Sequence, residues 1–182
     1  MTIYLVLTVL GEDKPGLVES LSQVIAAHAG NWLESRMARL AGKFAGILRA
    51  SVPDAHADAL THALQALERE GLKITIEQSR ADEAVQNYQW LTLALIGYDR
   101  PGIIRDISHA LASRRINIDE LHTEYTSAPM SGEMLFKARA QLRVPQEVVI
   151  HELQEHLEQL AHGLMVDLTL EVAEGSHETG RE

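Results

Sequence analysis

One stretch of this sequence groups residue types that can do chemistry, and the chain carries it twice. Leu10-Gly11-Glu12-Asp13-Lys14-Pro15-Gly16-Leu17-Val18 returns as Ile96-Gly97-Tyr98-Asp99-Arg100-Pro101-Gly102-Ile103-Ile104, with an offset of 86 at Gly, Asp, Pro and Gly alike. Each copy reads as an apolar strand turning into a helix. Pro holds φ near the helical value and suits a first helical turn, where its missing N–H is not needed. Gly tolerates the dihedral or the close approach that a tight loop demands. Asp13 and Asp99 stand where a carboxylate can accept hydrogen bonds from unpaired helix N–H groups. The chemistry on offer is the binding of a small anion at the positive end of a helix dipole. A capped helix start accounts for the same residues, and the spacing alone leaves both readings open.

Other chemistry finds less support. His151 and His156 are five residues apart, about 140° around a helix, whereas the zinc-protease pattern needs a separation of four on one face. That segment reads as a solvated helix surface, and His28, His109 and His122 are scattered. The chain has no Cys, which removes disulfides, thiolate metal sites and Cys nucleophiles and fits a reducing compartment. Gly-rich phosphate loops and the Gly-x-Ser-x-Gly elbow are absent. Asp13 and Asp99 fall one to each copy, so they do not read as a catalytic pair. No enzyme, metal or cofactor is expected.

Composition narrows the partners. The 182 residues, 46% hydrophobic, suffice for one large domain or two small ones. A net charge of −10 with no evident basic face makes direct nucleic-acid binding a poor expectation. No apolar run approaches the roughly 20 residues of a membrane helix. The N-terminal residues enter a strand pattern without a basic region, so the expectation is a cytoplasmic protein with no secretory signal.

The elements that position the motif repeat with it. Ile3 to Leu10 is apolar throughout and predicts a strand buried on both faces. Leu17, Val18, Leu21, Val24 and Ile25 form one helical stripe, which Ala29-Gly30 should end through a Gly cap. Trp32 to Leu40 and Lys43 to Val52 predict a hairpin through Ala41-Gly42. Pro53-Asp54 opens a helix carrying Leu60, Leu64 and Leu67, Gly71 ends it, and residues 72–76 close the copy as a strand. Polar residues 79–87 read as a linker between units at 1–78 and 88–173, with 174–182 as a disordered tail. In the second unit Leu153, Leu157 and Leu160 replace the second stripe, Gly163 takes the place of Gly71, and Thr126 to Gly132 lengthens the hairpin. Met134, Phe136, Ala138, Ala140, Leu142 and Val144 alternate with Lys137, Arg139, Gln141 and Arg143, a strand with one buried face.

Two βαββαβ copies predict an α+β fold: two ferredoxin-like units in tandem, each an antiparallel sheet with its helices on one face. At this size each has a thin core and a bare sheet face or edge. The basic Lys137, Arg139 and Arg143 face argues against a greasy sheet-on-sheet contact, so side-by-side edge pairing of the copies is expected.

Asp-x-Pro-Gly-aliphatic-aliphatic at a strand–helix turn, with Asn31 or Asn117 fifteen residues after the Gly, resembles the ACT domain. That resemblance spans residues 3–172. A tandem pair, together with the stretch Asn31 to Leu40, resembles the glycine cleavage system transcriptional repressor family. It implies a ligand seat between the Pro-Gly turn and the start of the second strand, completed by a neighbouring unit. Its residues would be Asp13, Lys14, Pro15, Gly16, Leu17 and Asn31, or Asp99, Arg100, Pro101, Gly102, Ile103 and Asn117. The ligand carboxylate would lie on backbone N–H groups near Gly16 or Gly102, with the Asn side chains on its polar groups. Each Asn also fits a local turn role. The resemblance implies a small amino acid such as glycine as ligand and a protein partner, a transcription factor or an amino-acid metabolic enzyme. It leaves a homodimer open. Without a DNA-binding element, any action on transcription would be indirect. A regulatory subunit of a metabolic enzyme is the alternative.

Overall fold

The computed structural model describes residues 1–79, 87–128 and 132–173. They form two compact units, one on either side of residues 80–86. Most of the expected linker, the expected tail at 174–182 and residues 129–131 of the long hairpin loop lie outside the described residues.

The first unit runs β1 (Thr2–Glu12), α1 (Leu17–Ala27), β2 (Asn31–Leu40), β3 (Lys43–Pro53), α2 (Asp54–Ala66), a 3₁₀ turn (Leu67–Glu70) and β4 (Leu72–Ser79). The second runs β5 (Tyr88–Tyr98), α3 (Ile103–Ala112), β6 (Asn117–Ser127), β7 (Met134–Pro145), α4 (Ile150–Leu164) and β8 (Val166–Val172). Both sheets are antiparallel, ordered β2-β3-β1-β4 and β6-β7-β5-β8. This is the βαββαβ order expected, twice.

Helices cover one face of each sheet. Leu5, Leu7 and Val9 of β1 point to the core with Leu48, Ala50 and Val52 of β3, and meet Leu17, Leu21 and Ile25 of α1 and Leu60 and Leu64 of α2. In the second unit Leu91, Leu93 and Leu95 meet Ala138, Ala140, Leu142 and Val144 under Ile107, Leu111, Leu153 and Leu157. Each fully buried Leu contributes about 1.5–3 kcal/mol by leaving water. The expectation that β1 is buried on both faces is corrected here. Val6 is half-buried, Thr8 exposed and Leu10 49% exposed. Among the described residues no helix covers that side, so a strand apolar throughout leaves its alternate residues half-buried or exposed.

Local turns follow the sequence with two corrections. Ala41 and Gly42 both have positive φ (48° and 79°), the signature of the type I′ turn that joins twisted strands tightly. The left-handed residue after α1 is Ala29 (φ 56°), not Gly30, and Arg115 (φ 58°) stands in the same place after α3. Gly30 is there for space: a Cβ would lie 2.9 Å from the Ile25 carbonyl oxygen. Gly71 does end its helical segment in the left-handed region (φ 90°). Gly163 does not. It lies inside α4, and Met165 (φ 53°) takes the cap. The pairings decide the equivalence, because Gly11 opposes Leu72, the residue after Gly71, and Gly97 opposes Val166, the residue after Met165.

Candidate functional site

The two Pro-Gly turns adopt one geometry. Gly16 has φ 93° and ψ −4°, Gly102 φ 101° and ψ −5°. These dihedrals fit the third position of a type II turn, which requires positive φ there and favours Pro just before it. Pro15 and Pro101 therefore belong to the turn rather than to the first helical turn, which corrects their expected place. Each Gly is the N-cap residue: its carbonyl accepts the first helical bond, from Ser20 N–H or Asp106 N–H, both at 2.9 Å. Leu17 and Ile103, the first helical residues, are buried and anchor the helix starts.

Among the described residues neither Asp carboxylate accepts a hydrogen bond from a helix N–H, and the N-cap residues, Gly16 and Gly102, have no side chain to cap with. Asp13 is drawn to the hairpin: its carboxylate accepts from Arg39 Nε at 2.6 Å, and its N–H donates to the Gly42 carbonyl at 3.0 Å. Asp99 makes the equivalent backbone bond to Met134 at 3.1 Å. Its unit has Tyr125 where Arg39 would be, since Tyr125 opposes Phe136 as Arg39 opposes Phe44.

The basic residue of each motif turns away from the helix start. Lys14 Nζ donates to the Glu70 carbonyl at 2.6 Å, and Arg100 Nη2 to the Gly163 carbonyl at 3.0 Å. Both carbonyls close the second helical segment of their unit, where the dipole end is negative and cations are favoured. Lys14 and Arg100 thus strap the turn to the helix layer.

Surroundings differ at the N-cap. A Cβ on Gly16 would meet nothing within 4 Å, whereas one on Gly102 would meet the Arg105 guanidinium at 3.0 Å. Arg105 Nε donates to Asp106 Oδ1 at 2.7 Å. That bond holds the Asp106 carboxyl below the usual carboxylate range and the Arg105 guanidinium above its own. Sequence reasoning passed over Arg39, Arg105 and Asp106. Arg105 and Asp106 carry a local signal, charges in the first turn of a helix, while Arg39 needs the strand register.

Asn31 and Asn117 open β2 and β6, at the ends of α1 and α3 remote from the turns. An 11-residue helix spans about 16 Å, so one unit does not bring its Asn and its Pro-Gly turn together. Asn117 Nδ2 donates to Asp119, which also pairs with Arg143 at 3.2 Å. Among the described residues no His, Asp or Glu group is arranged to hold a metal, and no helix is long and apolar enough to cross a membrane.

Residues 3–78 match the ACT domain family. The first unit is an ACT domain. The second repeats its order and pairing, so the fold is two ferredoxin-like ACT units in tandem. A crystal structure described as "an Unknown Protein from Galdieria sulphuraria" is similar at 28% identity and TM-score 0.85, over 96% of this chain and 100% of that one. A structure described as "putative glycine cleavage system transcriptional repressor" is similar at 20% identity and TM-score 0.72, over 96% and 99%. That second likeness is one of fold. No curated protein matches this sequence.

Proposed function

We propose that this ACT-domain protein senses a small amino acid and acts on transcription indirectly, through a protein partner, in the control of glycine cleavage or amino-acid metabolism. The observation that carries the reading is the pair of Pro-Gly turns, each with a left-handed Gly at a helix start that no side chain among the described residues caps. Backbone donors at such a start favour a carboxylate. In this reading the ligand carboxylate lies on the N–H groups after Gly16 or Gly102. Asp13, Lys14, Pro15 and Leu17, or Asp99, Arg100, Pro101 and Ile103, form the wall of each seat. Asn31 or Asn117 contributes only when supplied from outside that unit, and a second copy of the chain is the proposed source. The fold likeness to the repressor structure supports a regulatory role, and the charge of −10 supports an indirect one.

Calorimetry with glycine, serine and other small amino acids tests the reading on wild type, Gly16→Val and Gly102→Val. A branched side chain at positive φ costs about 1–2 kcal/mol of stability. At the turn that holds ligand it also abolishes binding in protein that remains folded. Wild type that binds no amino acid at millimolar concentration removes the sensing role.

A further inference from the structure

On the second unit's sheet, the face that no described helix covers holds a hollow of about 350 Å³ over Ala94 of β5. Strand pairing sets two rows across it, His122–Arg139–Ala94–Thr169 and Glu124–Lys137–Ile96–Asp167, each read from β6 through β7 and β5 to β8. Ala94 makes the floor, because its methyl is shorter than every other side chain in the two rows. Lys137 and Arg139 are exposed, consecutive outward residues of β7, and they rise on one side of that floor. Neither is ion-paired or hydrogen-bonded to another described residue. Glu124 directly opposes Lys137 but is turned to His122, Oε1 to Nε2 at 3.2 Å. Across the floor stand the Thr169 hydroxyl and the Asp167 carboxylate, both on exposed residues.

The first unit shows that the fold does not need these groups. Its matching rows are Arg36–Ile47–Thr8–Thr75 and Ala38–Ala45–Leu10–Lys73, so Ile47 and Ala45 stand in the places of Arg139 and Lys137. Its own hollow, about 370 Å³, lies one row away beside Val6 and Arg49. There the cation is engaged, by Glu34 at 3.3 Å and by the Tyr4 ring at 5.0 Å. The second unit instead leaves two neighbouring cations open beside its floor, in a chain with 26 acidic residues against 16 basic ones.

Consecutive outward residues on a strand stand about 6.8 Å apart, so one anionic group between Lys137 and Arg139 is within reach of both side chains. A phosphate monoester carries a charge of about −1.5 to −2 at pH 7, which two cations neutralise, whereas a monocarboxylate leaves one of them over. The Arg fork also fits two phosphate oxygens at once. Strands β7 and β8 flank β5 and lie about 9.5 Å apart. Thr169 and Asp167 therefore face the far end of a ligand anchored on β7, where they accept from hydroxyls and repel a second anion. The hollow is larger than bare phosphate requires and has the size of a small-metabolite site. We propose that it binds a small phosphate monoester bearing hydroxyl groups at its far end, such as a sugar phosphate or a nucleoside monophosphate. This site is separate from the Pro-Gly turns.

NMR titration of the full chain at low salt tests this with ribose-5-phosphate and adenosine monophosphate, against ribose, adenosine, inorganic phosphate and succinate. At least one ester binds at sub-millimolar concentration, shifts the Ala94 and Thr169 amides, and binds about tenfold or more tighter than every control. Lys137→Ala with Arg139→Ile copies the first unit's residues and weakens that ester by about tenfold or more, with circular dichroism unchanged. Ala94→Leu raises the floor and weakens it without altering any charge. Thr169→Val weakens the ester but not inorganic phosphate. The proposal is overturned if neither ester binds at millimolar concentration, or if the shifts fall at Leu17 and Ile103 after the Pro-Gly turns instead. Succinate or inorganic phosphate binding as tightly as the ester makes the hollow a patch for any anion and overturns it too. So does ester binding that survives the double substitution on β7.

Discussion

The two Pro-Gly turns share a backbone and a basic strap and differ in the charged side chains that face the helix start. In the first, Asp13 is tied to Arg39 and nothing stands over Gly16. In the second, Asp99 has Tyr125 at the position of Arg39, and Arg105 lies over Gly102 while bonded to Asp106. The strap beneath is common to both, Lys14 on Glu70 and Arg100 on Gly163. What the copies hold in common is what fixes the turn: a buried aliphatic after the Gly, the left-handed Gly, and a cation on the far helix end. What they vary is the electrostatic setting of the helix start. A carboxylate approaching Gly16 meets open backbone, and one approaching Gly102 meets a guanidinium that must first leave Asp106.

The comparison can be broken most forcefully at the glycines behind the turns. Gly11 and Gly97 sit where β1 and β5 pass the residue that ends the second helical segment. A Cβ on Gly97 would lie 2.9 Å from the Met165 carbonyl oxygen and 2.5 Å from Val166 Cγ1. On Gly11 it would lie 2.9 Å from the Gly71 carbonyl oxygen. Backbone cannot rotate away, so Gly97→Ala and Gly11→Ala should each cost about 2–3 kcal/mol. Denaturant titration of both variants checks this. Equal losses support the equivalence of the two sites, and a neutral result in either unit breaks it.

A smaller effect separates Gly71 from Gly163, which the sequence repeat treats as partners. Gly71 holds φ 90°, so Gly71→Ala should destabilise by about 1 kcal/mol. Gly163 is helical, and a Cβ there would meet nothing within 4 Å. Gly163→Ala should therefore stabilise by about 0.5–1 kcal/mol. Opposite signs in thermal melts are the expected outcome, and matching signs would restore the sequence equivalence.

The fold was legible because its signals are periodic and doubled. Strand alternation in β7, the Leu spacing of α2 and α4, and the offset of 86 each pointed to one topology. Element ends were less legible where a cap does not need Gly. Ala29, Arg115 and Met165 adopt left-handed φ because the chain beyond them is held by sheet pairing, which no local pattern reveals. The motif announced a helix start, but not what its side chains do. Asp13 answers to Arg39, 26 positions away and brought near only by the hairpin register. Lys14 answers to a carbonyl 56 positions on. The separation of each Asn from its turn, by contrast, was implicit in the order of elements, since a helix carries the chain from one end of the sheet to the other.

The mildest test of the comparison is a titration. Asp106 has its carboxyl pKa lowered chiefly by the hydrogen bond from Arg105, with Arg100 and His109 adding smaller favourable charge. Ser20 holds its place in the first unit, four residues after Gly16 as Asp106 is four after Gly102, so no corresponding group titrates there. A carboxyl whose folded pKa lies below its unfolded value contributes stability above the unfolded pKa, and that contribution is lost as pH falls through the folded one. The window is thus below about pH 4. The pair is exposed, so the effect on stability should be small and should shrink further with added salt. Carboxyl-detected NMR should find the Asp106 midpoint below the ordinary range, and Arg105→Met should move it upward with little change in fold. If the proposed ligand carboxylate takes Arg105 from Asp106, saturating amino acid should raise the midpoint as that substitution does. A midpoint that ignores both would leave Arg105 as a surface charge and make the two turns electrostatically alike.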